Sequence, residues 1–247
     1  MVTRTVTTPT EHPGRPKRGL RRVSNVLIGL GVAIVLYAGV ILAWGDPITW
    51  VWAHWEQHQM AGRLHSLEKH YGRQVVPAGD NAAWALLARD AAEMRGKAHE
   101  GDPLGRIVIG RIGLNAIFVQ GTSRFGALDK GPGHYEETPL PGRDGTVAIA
   151  AHRTTFGAWF RHIDSIRDGD AIELRMPYGT FHYRVQYHRI VSPNGTRASI
   201  VRNLGYERLI LSACNPLYSA SQRWVVFARA VSVTLPGGRV LREPGSS

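Results

Sequence analysis

From Val23 to Trp44 the chain runs through 22 residues without one charge. A helix rises about 1.5 Å per residue, so about 20 such residues cross a ~30 Å hydrocarbon core. The run exceeds the roughly 7–15 apolar residues of a cleaved signal peptide. It leads into Trp44, Trp50, Trp52 and Trp55, ring systems suited to the headgroup level of a bilayer. The pattern therefore predicts a membrane-spanning helix over 23–44. Beyond it, Met60, Leu64, Leu67 and Tyr71 recur at spacings of 4, 3 and 4, the stripe of a helix, which Pro77-Ala78-Gly79 interrupts. A second helix is expected, capped by Asp80 or Asn81, carrying Trp84, Leu87 and Met94 and ending by Gly96. The segment 45–100 thus reads as a helical stalk spacing a domain from the bilayer, its heptad stripe being too short for a partner-binding coiled coil.

From Gly101 the period changes. Short apolar runs separated by Gly, Pro, Asn and Asp predict strands at Arg106–Leu114, Ala116–Gln120, Thr146–Ala151, Ala171–Arg175, Phe181–Val191, Leu209–Ala213 and Trp224–Val233. The clearest alternation sets Phe181, Tyr183, Val185 and Tyr187 against His182, Arg184, Gln186 and His188, one buried and one wet face. Arg143-Asp144-Gly145 and Pro193-Asn194-Gly195 are turn signals. So many strands with few helical windows predict an all-β sandwich or barrel over 101–235, followed by a tail at 236–247.

Charge changes this picture at one end. Of the formal +11, the first 22 residues carry six basic side chains against Glu11 alone. A pI near 10.4 would ordinarily suggest nucleic acid, but Arg18, Arg21 and Arg22 abut the apolar run. The positive-inside tendency then makes 1–22 a cytoplasmic tail, puts everything after Trp44 outside the cell, and leaves no need for a nucleic-acid partner. A single cysteine excludes an internal disulfide and a cysteine metal cluster. No phosphate-binding glycine loop and no metal-ligand spacing occurs, so neither cofactor nor metal is expected.

That cysteine, Cys214, ends the apolar strand Leu209–Ala213 just before Asn215-Pro216, a position suited to a nucleophile. Taken alone, a lone cysteine is more often a small buried hydrophobe. A nucleophilic thiol needs a base and an oxyanion donor. His152 closes the strand Thr146–Ala151 and opens a loop-like stretch, Arg153-Thr154-Thr155-Phe156-Gly157, but His134, His162 and His188 compete with it. Arg223 opens the last long strand; its fixed donors suit a developing oxyanion, although exposure is the norm for Arg. Glu136-Glu137 read as a solvated loop.

Three stretches, GRIVIGRIGL, GPGHYEETPLPGRDGTVAIAAHRTTFGAWFRHIDSIRDGD and LILSACNPLYSASQR, in this order, resemble the sortases, cysteine transpeptidases on the surface of Gram-positive bacteria, and within them the actinobacterial class E. The resemblance implies a closed β-barrel with short helices in its loops. It makes Cys214 the nucleophile, His152 the acid/base, and Arg223 the residue that stabilises the oxyanion or positions substrate. It also implies cleavage of a Thr–Gly bond in a Leu-Ala-x-Thr-Gly-like sorting signal on secreted proteins, with transfer to a cell-wall precursor or pilin amine. Two positions depart from the family pattern: Ala213 stands where Thr usually precedes the Cys, and Ala151 where Gly usually precedes the His. Ala213 keeps open a catalytically weak or inactive anchored binding domain. The enzymatic alternative, an L,D-transpeptidase, carries a His-Gly dyad before its Cys that Ala213-Cys214-Asn215 lacks.

Overall fold

The structure, a computed structural model, describes residues 18–44, 46–142, 144–195 and 204–243. It divides into two compact units, Met1–Trp44 and Gly45–Ser247. The first is helix α1 (Arg18–Trp44). Its stretch Gly19–Ile41, with mean hydropathy 2.1, is long and apolar enough to cross a membrane: 23 residues span about 35 Å. Of the tails expected from sequence, residues 1–17 and 244–247 lie outside the described residues, as does Arg143 of the first turn signal.

The second unit holds α2 (Pro47–Tyr71), α3 (Asp80–Lys97) and nine strands: β1 (Pro103–Ile109), β2 (Leu114–Gln120), β3 (Gly133–His134), β4 (Gly145–Ala150), β5 (Ala171–Met176), β6 (Gly179–Val191), β7 (Glu207–Asn215), β8 (Gln222–Thr234) and β9 (Val240–Arg242). The order β6-β5-β1-β2-β3-β4-β7-β8 closes through a β6–β8 pairing into an eight-stranded barrel. Closure pairs most of the sheet edge, the short strands β3 and β9 covering only part of their neighbours. β7 pairs with β8 only as far as Arg229, and β9 takes the same edge further on, at Ser232–Thr234.

The expected strand Arg106–Leu114 is a hairpin. A 3-10 turn at Gly110–Ile112 breaks it, and Gly113 reverses the chain with φ +63°, backbone that glycine adopts without a Cβ penalty. The alternation in β6 holds for Phe181, Tyr183 and Val185, which are buried, but Tyr187 is exposed and stacks on Phe227 at 4.6 Å. Register shifts after His182 and Val185 account for this, since an extra residue moves the following side chains to the other face. Strands β3 and β9, two and three residues long, are too short to leave a periodic signal. Pro193–Gly195 begin a helical turn in which Ser192 Oγ accepts from the Gly195 N–H at 3.2 Å.

The helices expected as a spacer lie on the barrel and share its interior. Met60 and Leu64 of α2 bury against Ile117, Val119 and Ala127, while Tyr71, Leu87, Ala91 and Met94 join the main core. Asp46 caps α2, accepting from the Ile48 N–H at 3.1 Å. The expected cap of α3 at Asp80 or Asn81 falls instead at Gly79, which makes no side-chain cap bond. One polar side chain locks α2 in place. β3 pairs only with Val119 and Gln120, leaving Ile117 at the open edge of β2. The Gln57 amide supplies the missing rung: its Oε1 accepts from the Ile117 N–H at 2.6 Å, and its Nε2 donates to the carbonyls of Ile117 (2.7 Å) and Lys130 (3.1 Å).

Gln57→Leu keeps the bulk and orphans these groups, so it should lower stability by about 2 kcal/mol, the cost of unsatisfied buried backbone. Urea unfolding measures it; a loss below ~0.5 kcal/mol, the usual scatter of surface substitutions, means that the amide is not what holds the edge.

Candidate active site

The three residues singled out in the sequence come from three adjacent chains at one end of the barrel. β4 and β7 run parallel, with Ala150 opposite Ser212. His152 and Cys214 each lie two residues beyond that pair, and the Ala151 N–H still donates to the Ser212 carbonyl at 3.2 Å. β7 and β8 are antiparallel, with Cys214 directly opposite Arg223. Parallel pairing brings the two strand exits to the same rim, and antiparallel pairing brings the start of β8 to meet them.

All three side chains line one cavity of about 610 Å³, together with Arg124, Tyr135, Ser212 and Tyr218. Cys214 is half-buried and unpaired. The His152 ring lies against Phe156, centroids 5.5 Å apart, and its Nε2 is buried with no hydrogen-bond partner among the described residues. Burial, reinforced by the charge of Arg124 and opposed by Asp129, holds its pKa below the ordinary imidazole value. At neutral pH the ring is therefore uncharged and can accept a proton. Arg223 Nη1 donates to the carbonyls of Ala220 and Gln222, both at 2.9 Å, which fixes the guanidinium at the strand start. Burial keeps the Tyr135 phenol above its usual pKa, hence protonated.

Sequence reasoning passed over Arg153 as part of a loop. Its side chain is 5% exposed and forms an ion pair with Asp164 at 2.5 Å. It donates to the Arg161 carbonyl at 3.2 Å and, more weakly, to the Cys214 carbonyl at 3.5 Å and Asn215 Oδ1 at 3.4 Å. This buried cation ties the loop after His152 to the end of β7. Nothing in its sequence neighbourhood distinguished it from a solvated arginine.

The competing histidines lie elsewhere. His134 is fully buried, its Nδ1 at 2.9 Å from Gln120 Oε1 and its Nε2 at 2.9 Å from Thr138 Oγ1. His162 is exposed beside a 3-10 turn; His188 is exposed and stacks on Trp224 at 4.8 Å. Glu136 and Glu137 are exposed, as expected. Among the described residues, no group of His, Cys, Asp and Glu side chains is assembled as metal ligands would be. A thiol, a neutral imidazole and a fixed guanidinium lining one cavity form a set able to make and resolve an acyl-thioester.

Residues 107–231 match the Sortase domain model. The chain is 29% identical over 139 residues to sortase D of Bacillus subtilis, spanning 55% of this chain and 68% of that protein. It is 24% identical over 232 residues to sortase SrtE1 of Streptomyces coelicolor, of whose length it spans 59%. Its fold superposes on the sortase D5 transpeptidase of Clostridium perfringens with a TM-score of 0.55 at 22% identity, covering 71% of this chain and 98% of that one.

The buried histidine gives a pH signature separate from the cavity. Desolvation pushes His134 down to about 4, against about 6.5 in an unfolded chain. The unfolded state therefore takes up a proton first. Stability is complete above pH ~6.5 and falls by about 1.4 kcal/mol per unit as pH drops towards 4. His152, also lowered, adds in the same direction. Thermal melts between pH 7 and 4 should show this slope and its flattening in His134→Gln; an unchanged slope in that variant refutes the assignment.

Proposed function

The chain belongs to the sortase family of cysteine transpeptidases, and on that premise we propose that it is a membrane-anchored class E enzyme. It cleaves the Thr–Gly bond of a Leu-Ala-x-Thr-Gly-like sorting signal and passes the protein to a cell-wall or pilin amine. The observation carrying this reading is that Cys214, His152 and Arg223, 62 and 9 positions apart in the sequence, line one cavity. The three sequence stretches noted above and the likeness to SrtE1 support class E, and the family match favours this reading over an L,D-transpeptidase.

Neutral His152 takes the proton of the Cys214 thiol as sulfur attacks the threonine carbonyl carbon. The carbonyl oxygen becomes an oxyanion, facing the Arg223 guanidinium and backbone N–H groups. Collapse breaks the C–N bond, and His152 returns its proton to the departing glycine nitrogen. An acyl-thioester remains on Cys214. The acceptor amine then attacks it, His152 removes the amine's extra proton, and the sulfur leaves and is reprotonated. One amide is exchanged for another, so the reaction consumes no cofactor. The arginines before Val23 support a cytoplasmic N-terminus with the barrel outside the cell, where the sorting signal arrives.

Ala213 favours a second reading, a weak or inactive binding domain, since it is buried at 3% exposure on the cavity wall and offers no hydroxyl there.

The deciding experiment is peptide cleavage and transfer by Cys214→Ala. Activity should vanish and Cys214→Ser should be nearly as poor, because the thioester cannot form. A comparable rate in Cys214→Ala sinks the enzyme reading, and a wild type inert towards peptide, amine and thiol-directed sorting-signal mimics favours the binding domain. His152→Ala should lose about 10²–10⁴-fold while Cys214 still reacts with iodoacetamide; an equal loss from folded His162→Ala means that the wrong histidine was chosen.

Arg223→Ala should lose ~10²–10³-fold, mainly in kcat, the usual effect of removing one oxyanion donor. A loss below about tenfold assigns the oxyanion to backbone N–H groups alone.

A further inference from the structure

The loop after His152 takes a turn that its own sequence does not favour. Phe156, Gly157 and Ala158 carry successive φ angles of 49°, 79° and 46°. Left-handed backbone at non-glycine residues is costly and persists only where the surroundings hold it. Here the holding comes from a segment more than 100 positions earlier in the chain. Thr49 Oγ1, in the first turn of α2, accepts from the Phe156 N–H at 2.8 Å. One turn on, the His54 ring lies 5.0 Å from Trp159. Trp159 in turn covers Gly157, where an added Cβ would meet the indole at 2.7 Å. The product of this turn is the placement of the Phe156 ring against the His152 imidazole.

We propose that the first turns of α2, acting through Thr49, are a positioning element for His152. The segment read from sequence as a spacer would then set the geometry of the acid/base. The inference rests on His152 having that role, but its geometric half stands by itself. Thr49 is not among the residues that line the cavity. It holds the peptide N–H that fixes the turn, the turn aims Phe156, and Phe156 packs against one face of the imidazole. Gln57, two turns further along α2, pins the helix to β2, so the brace has a rigid base.

The test uses the full-length chain in detergent. Thr49→Val keeps the shape and removes the acceptor, whereas Thr49→Ser keeps the acceptor. On a fluorogenic Leu-Ala-x-Thr-Gly peptide, Thr49→Val should lower kcat about tenfold or more with KM within about twofold, because small misplacements of a catalytic group act on the chemical step. Thr49→Ser should restore it. In protein carrying 13C-labelled histidine, the His152 ring signal, identified by its loss in His152→Gln, should shift or broaden in Thr49→Val and not in Thr49→Ser. Should Thr49→Val not fold, Phe156→Asn keeps a residue that tolerates left-handed backbone while removing the ring, and should show the same kcat loss and ring-signal change. An unchanged kcat with an unchanged His152 signal overturns the proposal, as does an equal loss in Thr49→Ser. Activity that survives Cys214→Ala, measured alongside, overturns the proposed function instead, and the His152 signal then decides the positioning role alone.

Discussion

Six parallel rungs between β4 and β7, from Gly145 opposite Glu207 to Ala150 opposite Ser212, carry the whole site. Both strands leave this ladder at the same rim, which is why a histidine and a cysteine 62 positions apart emerge side by side. A buried carboxylate sets the zero of the register. Glu207, 1% exposed, accepts from the Gly142 N–H at 2.6 Å and from the Tyr183 hydroxyl. Burial together with that carboxylate keeps the Tyr183 phenol well above its usual pKa, so it remains a donor. A slip of one residue would turn Cys214 from the cavity to the opposite face. The polar anchor at one end of the ladder thus fixes the chemistry at the other.

At the rim the balance of charge is cationic. Arg124, Arg153 and Arg223 all line the cavity, and of these three only Arg153 is paired with a carboxylate among the described residues, Asp164. Arg124 sits over the Phe125 ring at 5.3 Å. Burial first, and then the positive charge of Arg124, disfavour the protonated form of the His152 imidazole. The same field favours negative charge developing on a carbonyl oxygen. In the proposed mechanism one distribution would serve both the proton acceptor and the oxyanion, without a donor at Ala213.

What was legible in the sequence follows from where pattern is local. The uncharged run of α1, the stripe of α2 and the alternation of β6 as far as Val185 are properties of neighbouring residues, and each reads directly. The cysteine at a strand exit was visible for the same reason. Parallel pairing of β4 with β7 is not local; before it is known, His134, His152, His162 and His188 are equivalent. The packing of α2 and α3 on the barrel was hidden because an amphipathic stripe reports that a face is buried, not against what. Arg153 was hidden because a buried arginine and a solvated one have the same sequence signature.

The chain has one sulfhydryl, and it lines an open cavity beside cationic groups. Peroxide converts a reactive thiol to a sulfenic acid, which survives by condensing with a second thiol. No such resolving cysteine exists here. An oxidised Cys214 would then be held by a thiol from another molecule or as a sulfenamide with a backbone nitrogen, and would otherwise continue irreversibly to the sulfinic and sulfonic acids. A site built on a single thiol thus depends on its redox surroundings as well as on its fold.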